Sequence, residues 1–346
     1  MTKAKGYTAV FSGVMMFVFL LVFTNDFGTG FSEGLIKCAE IVIPSLFPFL
    51  IAASLSGSGK IPSKISRFIS PITNFLFGLP AETIFAVVLG QLGGYLSGAK
   101  SAQSLCSTGE ISESQAEKLM FFCINPGIGF AINAVGSIML SSRNSGRIIF
   151  ASICISGIIC GMICRFLTCN TDCKKKNNIA LPSFSETIVN SVSSGVLSLF
   201  TACAFVCLFS GVVAVIEAHI SNENIKLAGI CLLEITNGCF YASDELSLPL
   251  ISAICAFGGL CVHMQIFAVA DNFRIRLPLF YFFRILHSVL AFLVCSFILR
   301  MFPAEIQTMV NITPEAQLWS FSAPASISML FLSALLILDL DNKRKI

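Results

Sequence analysis

The chain has 346 residues, 55% of them hydrophobic and only 12% charged, with a net charge of +3. Soluble domains carry about 25% charged residues, so a water-solvated globule is excluded, and so small a net charge gives no footing for nucleic-acid binding. Mean hydropathy is +0.85, and the chain reads as an all-α polytopic membrane protein whose first partner is the lipid bilayer.

A membrane helix needs about 20 predominantly apolar residues. Ten segments come near this: 7–24, 34–57, 81–98, 118–140, 147–168, 185–216, 227–245, 247–270, 278–302 and 320–339, of which 8–10 are expected to enter the membrane. Lys3 and Lys5 precede the first, and Thr24-Asn25-Asp26 after it offers no small-residue cleavage site, so it reads as a retained span. Pro44 and Pro48 should kink or break the second. Over 60–79, Lys60, Lys64 and Arg67 alternate with Ile, Phe and Leu, the pattern of a basic amphipathic stretch lying along the membrane surface.

Cytoplasmic loops collect Lys and Arg. By that rule Lys3/Lys5, Lys60/Lys64/Arg67, Lys174–Lys176, Arg274/Arg276 and Lys343–Lys345 lie inside, with both termini cytoplasmic, while the acidic loops 25–33, 217–225 and 303–318 lie outside. Parity then fails in each half. Three segments fall between Arg67 and Lys174 where an even number is required, and two fall between the loop near 220 and Arg274 where an odd number is required. One segment per half should therefore enter and leave on the same side, which irregular backbone does only where protein or a water-filled cavity surrounds it.

The halves also echo each other. Ser32-Glu33 precedes Ser45-Leu46-Phe47 by the interval that separates Ser185-Glu186 from Ser198-Leu199-Phe200; Leu89–Leu92 matches Leu232–Ile235; Gly129 with Asn133 matches Gly259 with His263. With one copy starting outside and the other inside, the repeat would be inverted, the organisation of secondary transporters that bind solute between broken helices. The resulting division is an N-terminal helix (1–30), a first repeat (31–168), a basic linker (169–184), a second repeat (185–302) and a C-terminal helix with a basic tail (303–346).

Four stretches join helix-breaking residues to hydrogen-bonding groups: Gln91, Gly93, Gly94, Ser97, Gly98 and Lys100; Asn125, Gly127 and Asn133; Glu234, Thr236 and Asn237; and Gly258, Gly259, His263 and Gln265. Unwound backbone frees N–H and C=O groups for a solute, and half-helix N-termini favour anions. An acid such as Glu234 in an apolar segment costs about 3 kcal/mol to insert and needs a partner or a function. Lys100 suits either an anion contact or snorkelling to the headgroups. Many of the 15 cysteines lie in apolar spans, where they act as small hydrophobes, and Cys169 and Cys173 have no nearby histidine. No disulfide, metal or cofactor is expected. Walker, HExxH and dinucleotide patterns are absent, and Gly30-x-Ser32-x-Gly34 lacks the strand–turn–helix setting of a nucleophile elbow, so no enzyme is expected. The coupling ion, proton or sodium, and the oligomeric state, a homo-oligomer included, stay open.

The motifs IVIPSLFPFLI (41–51), GGYLSGAKSA (93–102), QAEKLMFFCINPG (115–127), LLEITNG (232–238) and FGGLCVHMQI (257–266) together resemble the YlbJ, or SpoVV, family of sporulation integral membrane proteins. These carry nucleoside-recognition (Gate) domains and resemble concentrative nucleoside transporters. The resemblance implies transport of dipicolinic acid, a planar pyridine dianion, from the mother cell across the outer forespore membrane by alternating access. It also implies that Gln91 stands where a hairpin glutamine contacts the base, Glu234 where an acid binds ribose, and His263 and Gln265 near the groups completing that site. Two departures matter: Leu96 stands where the family often has proline, and Leu92-Gly93 follow Gln91 where nucleoside transporters have a glutamate. The loss of that carboxylate, with Lys100 nearby, favours an anion. A nucleoside or nucleobase carrier and a non-transporting sporulation scaffold are the alternatives.

Overall fold

A computed structural model describes residues 2–56, 63–167 and 183–302. The expected linker 169–184 lies almost entirely outside the described residues. So do the 320–339 segment, the 303–318 loop, Lys60, Lys174–Lys176, Lys343–Lys345, Cys169 and Cys173. The described chain is all helix, with no strand.

Helix α1 (Thr2–Val22) is separated by Phe23 alone from α2 (Thr24–Lys37), which runs through a π-helical turn, Cys38–Val42, into α3 (Ile43–Ser56). Together Thr24–Ser56 form one long apolar helix. This corrects two expectations. Residues 25–33 are helical and not a loop, and the prolines do not break the second span. The widened π turn ends at Val42, two residues before Pro44, whose missing N–H and bulky ring strain an α-helical ladder over the preceding turn.

Helix α4 (Ser63–Phe77) exposes Ile65, Phe68, Ile72 and Phe75 along one stripe, as an interfacial helix should. A bend of 81° then leads into Ala81–Leu92, whose α-helical part is α5 (Ile84–Leu92). After the Gly93-Gly94 break come α6 (Tyr95–Thr108) and α7 (Glu113–Met120). Residues 121–127 then leave the helix before a π-helical segment, Gly129–Met139. Helices α8 (Arg143–Cys164) and α9 (Phe184–His219) follow, then α10 (Glu223–Leu233), α11 (Ile235–Glu245), α12 (Leu248–Phe257), α13 (Gly259–Val269) and α14 (Leu277–Met301).

Among the described residues five helices are long and apolar enough to cross a membrane: Thr24–Ser56, α8, α9, Leu248–Val269 and α14. The remaining expected spans are built differently. Segment 7–24 contributes the shorter apolar stretch Val10–Val22. Segment 118–140 is interrupted at 121–127. Segments 81–98 and 227–245 fold back on themselves. A methyl on Gly98 would come 2.9 Å from Gly90 Cα, and one on Gly238 would come 2.7 Å from Cys231 Cα. Those residue pairs are far apart along a straight helix, which rises 1.5 Å per residue. Hence α5–α6 and α10–α11 are helical hairpins, with tips at Gly93-Gly94 and Glu234.

Small residues seat these elements. A methyl on Gly30 would lie 2.4 Å from Ser210 O, and one on Gly34 would lie 2.8 Å from Cys207 Cα. The Gly30-x-Ser32-x-Gly34 stretch is thus the close-packing face of α2 on α9, with two glycines one helical turn apart. At the same end His219 Nε2 and Asp26 Oδ2 are 3.0 Å apart.

Candidate functional site

Each hairpin tip rests on a broken backbone. In the first half, Gly94 has φ +107°, a value reserved for glycine, which lets the chain reverse without a side chain in the way. Gly127 packs directly on this tip: a methyl there would lie 3.0 Å from Gly93 C and 3.1 Å from Gly94 N. Beside it Asn125 Nδ2 donates to Gln91 Oε1 at 2.8 Å. Gln91 Nε2 and Asn125 Oδ1 are left buried without partners. Ser97 donates to Gly93 O at 3.0 Å, stiffening the turn. Gly98 backs against the Cys123 carbonyl.

In the second half the break is Gly258-Gly259, with φ +91° and +74° between α12 and α13. Gly259 packs on the second tip, a methyl there lying 3.2 Å from Leu233 O. At that tip Glu234 is 1% exposed, and its carboxylate accepts from Thr236 N at 3.0 Å and Asn237 N at 2.8 Å. It is therefore the N-cap of α11, where the positive end of the helix dipole offsets an anion. Asn237 Oδ1 accepts from Lys37 of α2, and Asn237 Nδ2 donates to Ser210 Oγ at 3.3 Å. Gln265 donates to Cys261 Sγ at 3.2 Å. His263 is fully buried, its Nε2 is 2.9 Å from Phe257 O, and the rings of Phe257, Phe280 and Tyr281 meet it edge-on. It clasps the end of α12 across the break.

Among the contacts that join the halves, two lie beside the breaks. Tyr95, the first residue of α6, donates to Cys255 O at 2.6 Å and packs on Gly258. Arg284 of α14, fully buried, donates to Ile124 O at 2.6 Å, Phe121 O at 3.0 Å and Ala256 O at 3.5 Å. It thus sits at the C-terminal ends of α7 and α12 together. A helix C-terminus carries about −0.5 charge, so two of them offset about one guanidinium.

The sequence-derived residues divide accordingly. Gln91, Gly93, Gly94, Ser97, Gly98, Asn125 and Gly127 form one cluster; Glu234, Thr236, Asn237, Gly258, Gly259, His263 and Gln265 surround the other. Lys100 stands apart, buried two turns beyond the tip, where it donates to Gln103 Oε1 at 3.0 Å; Gln103 in turn donates to Asp271 at 3.2 Å. Asn133 lies exposed on the π segment. Sequence reasoning missed Tyr95, Lys37, Ser210 and Arg284. Arg284 had a legible signal, a charge inside an apolar helix.

The chain is similar to the sporulation integral membrane protein YlbJ of Bacillus subtilis (strain 168), at 23% identity over 303 residues, covering 75% of this chain and 74% of that protein. This chain is a distant relative of a sporulation membrane protein. No protein-family model matches it, and no solved structure matches it. With five long apolar helices, it is an integral membrane protein whose environment is the bilayer.

Proposed function

We propose that the chain carries a small planar anion across a membrane by alternating access, binding it where the hairpin tips meet the two broken backbones. The observation carrying this reading is the paired construction. Each half has a helical hairpin laid on a glycine-containing break, with hydrogen-bonding atoms buried there unused. Discontinuous helices with irregular buried backbone are what many secondary transporters use to hold solute. In this reading the two hairpin-and-break units are inverted repeats, and one moves against the other. Dipicolinic acid is the proposed solute, moved from mother cell toward forespore. A flat ring with carboxylates suits amide and cationic donors, and the sporulation relative supports that setting.

The test is uptake of pyridine-2,6-dicarboxylate into proteoliposomes by wild type, Glu234→Ala and Gln91→Ala. Uptake by wild type that both variants retain in full would remove this site from the pathway. Absence of any flux in wild type would favour a non-transporting scaffold. A nucleobase carrier is the second reading, supported by the unused amide N–H and C=O of the Gln91–Asn125 pair, which match a base edge. Competition by uracil or uridine against the dicarboxylate separates the two.

A further inference from the structure

We infer that Arg284 recognises a carboxylate of the transported solute, through the guanidinium edge its backbone partners leave free; this rests on the transport reading above. Arg284 is entirely buried, and its hydrogen bonds run to the carbonyls of Phe121, Ile124 and Ala256. Among the described residues no Asp or Glu forms an ion pair with it; Arg276, which does have one, pairs with Glu117.

The guanidinium has five N–H groups. Nη1 has two carbonyl partners and Nη2 has one, while Nε has none. The free hydrogens are therefore on Nε and Nη2, the two nitrogens that form the side-on fork for a carboxylate. A second unpartnered donor, Gln91 Nε2, lies at the same place in the chain: Gln91 bonds Asn125, and Arg284 bonds the adjoining Ile124. One buried cation and one buried amide thus bond adjoining residues of the 121–127 break, Ile124 and Asn125. That pairing suits a rigid ring bearing an ionised carboxylate and a second acceptor. Neutral carbonyls bond the guanidinium one N–H at a time, whereas a carboxylate brings an opposite charge and two parallel N–H···O bonds in a bidentate fork. Opening of the hairpin would let the solute complete what the carbonyls leave unfilled.

The test measures binding by the purified full-length protein. The probes are pyridine-2,6-dicarboxylate, pyridine-2-carboxylate and the neutral pyridine-2,6-dicarboxamide. Wild type should prefer both carboxylates to the diamide by at least about tenfold, the worth of one charge-assisted fork. Arg284→Gln should erase that preference. Arg284→Lys, which keeps the charge and is less disruptive to folding, should lose about tenfold in carboxylate affinity while diamide binding changes less. A wild-type preference near one overturns the assignment without any variant. Unchanged carboxylate preference in either folded variant overturns it while leaving the transport reading intact. Failure of wild type to bind any probe overturns both.

Discussion

Gly98 shows how little freedom the first hairpin has. A methyl there would stand 1.9 Å from the Cys123 carbonyl and 2.9 Å from Gly90, so Gly98→Ala must push the two arms apart. Overpacking of this kind costs about 1–3 kcal/mol, and a lowered melting temperature in detergent is the expected result. Glu234→Ala removes the acceptor for two N-terminal amides of α11. Loss of such a cap costs about 1 kcal/mol, whereas Glu234→Gln, which keeps one acceptor oxygen, should cost less; comparing the two melting curves checks this. Glu234 was legible as an acid in apolar surroundings, but its capping role was not, because an N-cap is defined by where a helix begins again. Arg284 was written in the sequence as plainly as Glu234. Its partners were not, since they are main-chain carbonyls about which side-chain pattern says nothing.

The hairpins were foreshadowed by charge parity, which counts crossings without needing to know where the chain turns. Their tips followed from glycine in one case and from an acid in the other. What parity could not supply was the unwinding of 121–127, whose apolar run Phe121–Ile124 reads as ordinary helix. Its carbonyls are held by Arg284 from a distant helix, and no local rule anticipates that. The stretch 25–33 misled in the opposite direction: it reads as an acidic external loop and is instead part of α2, with Gly30 on the face packed against α9. The second hairpin offers a direct test of movement. Cys239 Sγ of α11 lies 3.5 Å from Cys255 Sγ of α12. Treatment with a membrane-permeant oxidant should join them and arrest uptake, with recovery on reduction, and Cys239→Ser should be resistant. Full uptake by the cross-linked protein would mean that α11 and α12 stay together throughout the cycle.

Across the whole molecule, the halves are tied at Glu117 and Arg276 as well as at Arg284. Glu117 of α7 accepts from the Arg276 backbone N at 2.7 Å and from its Nε at 2.9 Å, at the start of α14. Arg276 is half exposed, so solvent screens the pair, and Glu117→Ala should cost only about 1–2 kcal/mol, mostly for the stranded amide. Exchanging the two residues should fail to restore stability, because the amide of residue 276 needs an acceptor whatever side chain it carries. Full recovery of the melting temperature in the exchanged protein would show that charge alone matters. The placement of Arg284 also has a consequence for biosynthesis. It lies 160 residues after Ile124 and 163 after Phe121. At about 5–20 residues per second, the ribosome supplies it roughly 10–30 s after the backbone it satisfies. Through that interval the carbonyls of Phe121 and Ile124 lack their donor, and lipid cannot replace it. The first hairpin should therefore settle only after α14 has been inserted, and a nascent chain arrested before Leu277 should leave the 121–127 stretch open to water-soluble thiol reagents at Cys123.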